Sequence, residues 1–243
     1  MTTHTPAPST IITPETLVGD VVTGDPRRTR VLDRYGIDYC CGGRRTLSEA
    51  AAGADLDRLL ADLDLSDPAD APEWTTMDMP TLAAHIVDVH HAYLWEEMPR
   101  MQALAEKVAG VHGGRHAELA EVRRLTESLV AELSSHLSRE EQVLFPAIAQ
   151  FYATEGPVEF PFGRLAEPIG VMLAEHDEAG RILAEIREVS GGYTVPADGC
   201  GSYTALYAGL EEMENDLHLH IHKENNVLFP RVLQDEEARL ASA

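Results

Sequence analysis

The sequence predicts an all-α protein in which a small helical domain precedes a four-helix bundle. Three observations carry this prediction: four long segments have helical apolar periodicity, Gly- or Pro-rich breaks separate them, and no segment has convincing strand alternation. The segments span about 80–110, 115–151, 167–190 and 203–236. Four helices of similar length with modest connections favour a bundle.

The chain divides by composition into four parts. We predict a flexible arm at 1–14, a small helical domain at 15–66, a linker at 67–78 and the bundle at 79–236. Within the small domain, helical patterns at 26–35 and 56–65 flank the turn-rich stretch GIDYCCGG. The linker carries most of the stretch SDPADAPEW, whose Pro and Asp content is typical of a connection between domains.

The net charge and the cysteine count restrict the partners and the compartment. The formal net charge is -22 at pH 7, which argues against nucleic acid and anionic membranes, since both attract positive charge. No apolar run approaches the roughly 18 residues of a membrane helix, and the N-terminus lacks the basic region and apolar block of a secretory signal. Three cysteines are too few for a disulfide framework. We therefore expect a cytoplasmic protein.

An internal repeat marks the second and fourth long helices. HLSREEQVLFP at 136–146 matches HIHKENNVLFP at 220–230. The repeat pairs His136 with His220 and Glu140 with Glu224. Core packing alone could explain the apolar VLFP, but it does not require a histidine and a glutamate at the same two offsets. The final proline, Pro230, is expected to bend or end the last helix.

Helix geometry places these polar residues on buried faces. At spacings of three and four residues, His220 and Glu224 interrupt a stripe that is otherwise apolar, and the second helix repeats this arrangement. The first and third helices each carry one histidine on such a stripe. The inward polar residues are His91, His136, Glu140, His176, His220 and Glu224.

Other histidines of the same stretches are predicted to face outward. His90 shares a stripe with the charged Glu97. His218 and His222 lie about 200° around the helix from His220 at 3.6 residues per turn. We therefore expect His90, His218 and His222 at the surface.

Two carboxylates in the middle of a core need partners, because an unpaired buried charge costs several kcal/mol. Buried His–Glu ion pairs are one solution, but they leave half of the imidazoles unexplained, and no Lys or Arg lies on these stripes near the site. Two metal ions satisfy all six groups if both glutamates bridge, and each ion then keeps one or two positions for an outside ligand. Nitrogen and oxygen donors without thiolate favour iron or manganese over structural zinc.

Both parts of the chain resemble a known family. SSHLSREEQVLFP, AEHDEAG and HIHKENNVLFP resemble the hemerythrin-like domain, and with YGIDYCCGGRRTL the chain resembles the iron–sulfur cluster repair di-iron proteins, the RIC or ScdA family. The resemblance covers about 15–70 and 80–235. Its main departure is the stretch ATEGPVEFPFGRLAEP, which is longer than the family's connection. This stretch leaves the ligands intact, and the sequence does not decide whether it covers the entrance to the site.

The resemblance implies a di-iron protein that restores iron–sulfur clusters damaged by nitric oxide or oxidants, with damaged iron–sulfur proteins as partners. Supply of iron is the main hypothesis. Reduction of nitric oxide at two ferrous ions, and binding or sensing of O2 or NO, are the alternatives. The implied ligands of two non-haem, oxo- or hydroxo-bridged iron ions are His91, His136, His176 and His220, with Glu140 and Glu224 as bridging carboxylates. Glu132 and Glu175 are candidates for contacts to these ligands or for lining a channel.

Cys40 and Cys41 precede two glycines in the small domain. They can form a packed thiol pair, since free cysteine is often buried. Neighbouring arginines favour a reactive pair instead, because positive charge lowers the pKa of a thiol. These arginines are Arg27, Arg28, Arg30, Arg34, Arg44 and Arg45. A reactive pair could undergo redox chemistry, bind transferred iron, engage a client protein or link protomers into a homodimer. We expect no role for Cys200.

Overall fold

The computed structural model describes residues 12–65 and 73–242. Residues 1–11 of the predicted arm and 67–72 of the predicted linker lie outside this range. The described part of the chain is helical apart from turns and two isolated β-bridges, and it contains no strand. The predicted all-α fold class is confirmed. Within the same residues, no helix is long and apolar enough to span a membrane.

The small domain packs short helices around an apolar centre. They are α1 Val18–Gly24, α2 Thr29–Arg34, α3 Leu47–Ala50 and α4 Leu56–Leu63. Helices α2 and α4 lie within the two stretches for which the sequence predicts helices. Side-chain caps begin two of the helices: Thr46 forms a capping box with Glu49, and Asp55 accepts the N–H of Arg58.

Four long helical runs form the bundle. They are α5 Met79–Ile86 with α6 Ala92–His112, α7 Glu118–Arg139 with α8 Phe145–Ala153, α9 Ala166–Val189, and α10 Gly201–Lys223 with α11 Phe229–Ala241. Helix α7 packs on α6 and α9, and α10 packs on the same two helices. The four predicted segments agree with these runs to within a few residues at most ends.

Three of the runs contain a π turn. The turns are Val87–His91, Glu140–Leu144 and Glu224–Leu228. After the last turn, the N–H of Phe229 donates to the carbonyl of Glu224, five residues back. Pro230 follows directly, and its missing N–H falls where the ordinary ladder is already interrupted. Pro146 has the same position after the second turn. The chain continues as α11, so Pro230 does not end the helical run.

The core of the bundle consists of two apolar clusters with a polar layer between them. One cluster includes Leu94, Leu133, Ala179 and Leu217. The other includes Ile86, Leu144, Met172 and Val227. On each helical run, the inward polar residues fall between a member of one cluster and a member of the other. The sequence thereby places all of them at one level of the bundle.

The small domain packs on the outer face of α10. Ile221 belongs to the apolar core of that domain. His222 is fully buried, with Nε2 at 3.1 Å from Oγ1 of Thr23. The predicted surface position of His222 is therefore wrong, because the small domain covers the side of α10 that points away from the bundle. His218 is half-buried rather than exposed, and its ring centroid lies 5.7 Å from that of Tyr39.

The long connection between α8 and α9 packs against α11. The N–H of Leu165 donates to Oε1 of Glu236 at 2.7 Å, and the rings of Phe160 and Phe162 stack. No described residue of 154–165 lines the cavity that reaches the inward histidines. The connection therefore positions the start of α9 and leaves that cavity free.

Candidate metal centre

Six side chains from the four helical runs meet in the polar layer. They form two groups that share both glutamates. We call His91, Glu140, His220 and Glu224 site A, and His136, Glu140, His176 and Glu224 site B. In each group the candidate ligand atoms lie within 4.8 Å of one another, and all six residues are buried. The structure thus brings together every residue that the sequence places inward as a ligand.

The four imidazoles direct Nε2 toward the glutamates. The distances from Nε2 to the nearest carboxylate oxygen are 3.4 Å for His91 to Glu140, 3.3 Å for His136 to Glu140, 3.0 Å for His176 to Glu224 and 3.1 Å for His220 to Glu224. Each glutamate therefore has one imidazole of site A and one of site B beside it. This arrangement suits a carboxylate that bridges two metal ions.

Several polar atoms of the two sites are buried and have no hydrogen-bond partner among the described residues. They are both carboxylate oxygens of Glu140, Oε2 of Glu224, Nε2 of His91 and Nδ1 of His220. Buried polar atoms are normally paired, and a buried charge without its partner costs several kcal/mol. Cations between the imidazoles and the carboxylates would satisfy the inward atoms. The donor set of nitrogen and carboxylate oxygen fits iron or manganese.

Three of the four imidazoles are oriented by a hydrogen bond at Nδ1. The acceptors are Glu141 for His91 at 3.0 Å, Glu175 for His136 at 2.9 Å and Asn225 for His176 at 2.7 Å. Each acceptor receives a hydrogen bond from Nδ1–H, so the proton of a neutral ring lies on Nδ1. The lone pair is then on Nε2, which faces the centre. These outer contacts prepare the three rings to bind a cation.

Sequence reasoning missed Glu141 and Asn225. Each directly follows a candidate bridging glutamate, at the same offset in the two copies of the repeat, and this equal placement was the available signal. Of the two outer residues suggested by the sequence, Glu175 contacts His136. Glu132 is exposed and lines a narrow cavity of about 10 Å³ that reaches the histidines of site B.

The cluster holds its carboxylates ionised. Burial by itself raises the pKa of Glu224, but His220 and His176 outweigh burial and hold this pKa well below its ordinary value. Burial likewise opposes charge on His136, yet Glu140 and other carboxylates raise its pKa to about 10. The pKa of His220 is lowered instead, chiefly by burial. Without metal, His136 therefore carries a proton that a bound cation would displace.

His90 is buried, so its predicted outward position is wrong. It lies inside the π turn Val87–His91, where the rotation per residue differs from that of an α-helix and helical spacing misassigns the face. Its Nδ1 lies 2.8 Å from Asp216, and its Nε2 accepts a hydrogen bond from Lys223 at 2.7 Å. Lys223 lies off the inward stripe of its helix, but it is buried and also contacts His85. Burial lowers the pKa of Lys223 to about 8.

Cys40 and Cys41 lie where the small domain meets the bundle. Cys40 is buried, Cys41 is half-buried, and their sulfurs are 3.7 Å apart. Oδ1 of Asp38 accepts the N–H groups of both cysteines and the thiol of Cys40. The contact with Cys41, burial and the Asp38 carboxylate raise the pKa of the Cys40 thiol well above its ordinary value. The prediction of a lowered pKa for this thiol is wrong.

Several of the neighbouring arginines contact groups other than the cysteines. Arg27 pairs with Asp25 at 2.7 Å, and Arg28 donates to the carbonyl of Leu63 at 3.2 Å. Arg45 donates to the carbonyl of Glu49. The charged group beside Cys40 is instead the carboxylate of Asp38. Proximity in sequence was a poor guide to proximity in space here.

One side chain connects the cysteine pair to the candidate metal centre. Nδ2 of Asn225 donates to the carbonyl of Cys40 at 3.3 Å, while its Oδ1 accepts from His176. The next residue, Asn226, donates to the same carbonyl at 3.0 Å. Gly43 lies so close to Asn226 that a methyl group there would overlap the amide. Cys40 and Cys41 line a cleft of about 610 Å³ between the small domain and helices α9 and α10.

Cys200, for which the sequence predicts no role, is exposed at the start of α10. Its sulfur lies 3.2 Å from Nε2 of the buried His112. The backbone N–H of Tyr203, the His112 imidazole and the N–H of Ser202 lower the pKa of this thiol to about 7. Cys200 is therefore the more acidic thiol when compared with Cys40.

Comparisons with known proteins agree with this geometry. The model of the hemerythrin HHE cation binding domain matches residues 82–232. The chain belongs to the hemerythrin HHE family. A second model, for the domain of unknown function ScdA_N, matches residues 14–66 of this hemerythrin-family chain. The two matches correspond to the helical bundle and to the small domain.

Bacterial relatives match this hemerythrin-family chain along most of its length. Iron-sulfur cluster repair protein YtfE of Citrobacter koseri is 36% identical over 222 residues, which cover 90% of this chain and 97% of the relative. YtfE of Escherichia coli O8 has the same identity and coverage. YtfE of Salmonella paratyphi B is 37% identical over 223 residues with equal coverage. The family resemblance that the sequence suggests is confirmed.

Proposed function

We propose that this chain is a di-iron protein that repairs iron–sulfur clusters damaged by nitric oxide or oxidants, and that it does so by supplying iron. The observation that carries the proposal is the pair of sites A and B, in which four imidazoles surround two shared, buried carboxylates. Membership of a cation-binding family and the name of the relatives support it. The partners would then be damaged iron–sulfur proteins.

Each site would hold one non-haem iron ion, with Glu140 and Glu224 bridging the two ions. The buried oxygens without partners and the absence of thiolate among these six side chains support this assignment. Bound iron would supply a transferable metal ion and open coordination positions for a small ligand such as NO or O2. The three free cysteines support a reducing compartment, and we place the protein in the cytoplasm.

The chain's own residues would hold the ions, orient their ligands and provide a route outward. Glu141, Glu175 and Asn225 orient the imidazoles by accepting from Nδ1. The cavity past Glu132 and Glu175 reaches His136 and His176 of site B and also His220 of site A. Asp38, Cys40 and Cys41 offer donor atoms within 4.8 Å of one another at the domain boundary, and these could receive iron on its way to a client. Asn225 links the two sets of donors.

The proposal is tested with an enzyme whose iron–sulfur cluster has been damaged by nitric oxide. The iron-loaded protein is added to the inactivated enzyme without oxygen, and the recovered activity is followed over time. We expect recovery to be faster and more complete than with an equal amount of free ferrous iron. Recovery no better than with free ferrous iron would contradict repair by this protein.

Two histidine variants provide the matched comparison. His176→Ala removes a ligand of site B and should abolish repair together with part of the iron content. His116→Ala removes a histidine that pairs with Asp198 outside both sites and should retain both properties. Catalytic formation of nitrous oxide by the diferrous protein would instead favour nitric oxide reduction. Reversible O2 binding without oxidation of the iron would favour a carrier or sensor.

A further inference from the structure

The internal repeat relates site A to site B, and one pair of equivalent residues breaks the relationship. The repeat pairs His136 with His220, Glu140 with Glu224 and Glu141 with Asn225. The first and third helical runs each supply one inward histidine, and aligning His91 with His176 pairs His90 with Glu175. Most of these pairs place similar chemistry at equivalent positions. The last pair does not, because Glu175 is a carboxylate and His90 is an imidazole.

This difference leaves one candidate ligand without an outer partner. At site B both imidazoles have an acceptor at Nδ1, from Glu175 and Asn225. At site A only His91 has one, from Glu141. Nδ1 of His220 is buried and has no hydrogen-bond partner in the described part of the chain. Neither the orientation nor the tautomer of this ring is set by a hydrogen bond at Nδ1.

His90 occupies the place of the missing acceptor but cannot act as one. Its ring stacks on that of His220, with centroids 5.3 Å apart and planes at 5°, so its nitrogens do not point at the neighbouring ring. Both nitrogens already have partners, Asp216 and Lys223. Because the ammonium of Lys223 donates to Nε2, the proton of a neutral His90 lies on Nδ1 and is directed at Asp216. The buried Lys223 also places a positive charge on this side of the centre.

We propose that site B binds iron more tightly than site A, because His90 stands where site B has the carboxylate of Glu175. The inference rests on the proposed function. A carboxylate or amide that accepts from a ligating histidine orients the ring and raises its basicity, and its loss typically weakens metal binding by about 10- to 100-fold. The ammonium of Lys223 also repels a cation, and it is buried, whereas its equivalent under the repeat, Arg139, is exposed and pairs with Glu175. The ion of site A is then the one that the protein gives up first.

The order of filling tests this directly in the full-length protein. Crystals are grown with one equivalent of ferrous iron per chain under anaerobic conditions, and anomalous scattering at the iron edge gives the occupancy of each site. We expect strong density between His136 and His176 and weak density between His91 and His220. Equal occupancy, or higher occupancy of site A, would overturn the proposal. This measurement does not depend on any variant folding.

Competition with a ferrous chelator gives the size of the difference. We expect two binding constants about 10- to 100-fold apart in the unaltered chain. Glu175→Ala should weaken the tighter of the two binding constants and reduce the ratio between them. Lys223→Met, which keeps the length of the side chain, should strengthen the weaker binding constant. His85 contacts Lys223 but is not one of the candidate ligands, so His85→Gln should leave the ratio of the two binding constants unchanged. A ratio of binding constants that stays the same in both Glu175→Ala and Lys223→Met would also overturn the proposal.

The proposed repair function and the ranking of the two sites can be contradicted independently of each other. Unequal sites in a protein that repairs no cluster would contradict the proposed function alone. Equal sites in a protein that repairs clusters would contradict only the ranking of the sites.

Discussion

The imidazole of His90 lies parallel to that of His220, with 5.3 Å between the ring centroids. The other three candidate ligand histidines each have a directional acceptor at Nδ1, whereas His220 has this stacked ring and no acceptor among the described residues. On the Nδ1 side, away from Glu224, packing alone therefore positions His220. The centre is symmetric in its inward atoms and asymmetric in the groups behind them.

Asn225 should affect both the metal and the cysteine loop. Asn225→Ala leaves Nδ1 of His176 without an acceptor and removes a donor from the carbonyl of Cys40. We expect iron affinity at site B to fall by about 10- to 100-fold, measured by competition with a ferrous chelator. Asn226 donates to the same carbonyl but contacts no candidate ligand. The matched variant Asn226→Ala should therefore keep the iron affinity and only speed hydrogen exchange of the backbone amides in 38–45. Equal weakening by both variants would argue against a direct role of Asn225.

Gly43 should be required for docking of the small domain. In Gly43→Ala the new methyl group overlaps the amide of Asn226, which must move and lose its hydrogen bonds. We expect the free energy of unfolding in urea to fall by about 1–3 kcal/mol. Gly110→Ala is the control, because this exposed helical glycine has no atom within 4 Å of an added Cβ, and alanine there should stabilise by roughly 0.5–1 kcal/mol. Changes of the same sign in the two variants would contradict the close approach at Gly43.

Cys200 should be the most readily alkylated thiol near neutral pH. Its pKa is lowered to about 7, so the thiolate fraction, and with it the alkylation rate, rises with pH and is half-maximal near pH 7. Peptide mass spectrometry after timed alkylation measures this rate. His112→Gln should move the midpoint upward, and the buried Cys40, whose pKa is raised, should stay unlabelled. A midpoint near the ordinary value of roughly 8.5 in the unaltered chain would contradict the lowered pKa of Cys200.

The four helices and the inward residues could be predicted because their signals are local. An apolar stripe interrupted at the same offset by a histidine and a glutamate encodes both burial and chemistry. His136 with Glu140 and His220 with Glu224 carry this signal twice, in matching sequence contexts. The structure places these four residues in one buried layer.

The environments of His90 and His222 could not be predicted from helical spacing. His90 lies in a π turn, which changes the rotation per residue at the position where the assignment matters. His222 does point away from the bundle, but the small domain covers it there through Thr23. Docking of one domain on another leaves no periodic signal in the sequence. The partners of Lys223 were missed because His85 and His90 come from a distant helical run of the bundle.

Iron content per chain, measured together with the absorption spectrum, tests the central claim most directly. We predict about two iron ions per unaltered chain, in line with di-iron helical bundles. His220→Ala should lower the content to about one, since it removes a ligand of site A and leaves the histidines of site B. His218→Ala, a half-buried histidine outside both sites, should retain the full content. A single ion in the unaltered chain, or full retention of iron by His220→Ala, would contradict the two-site account.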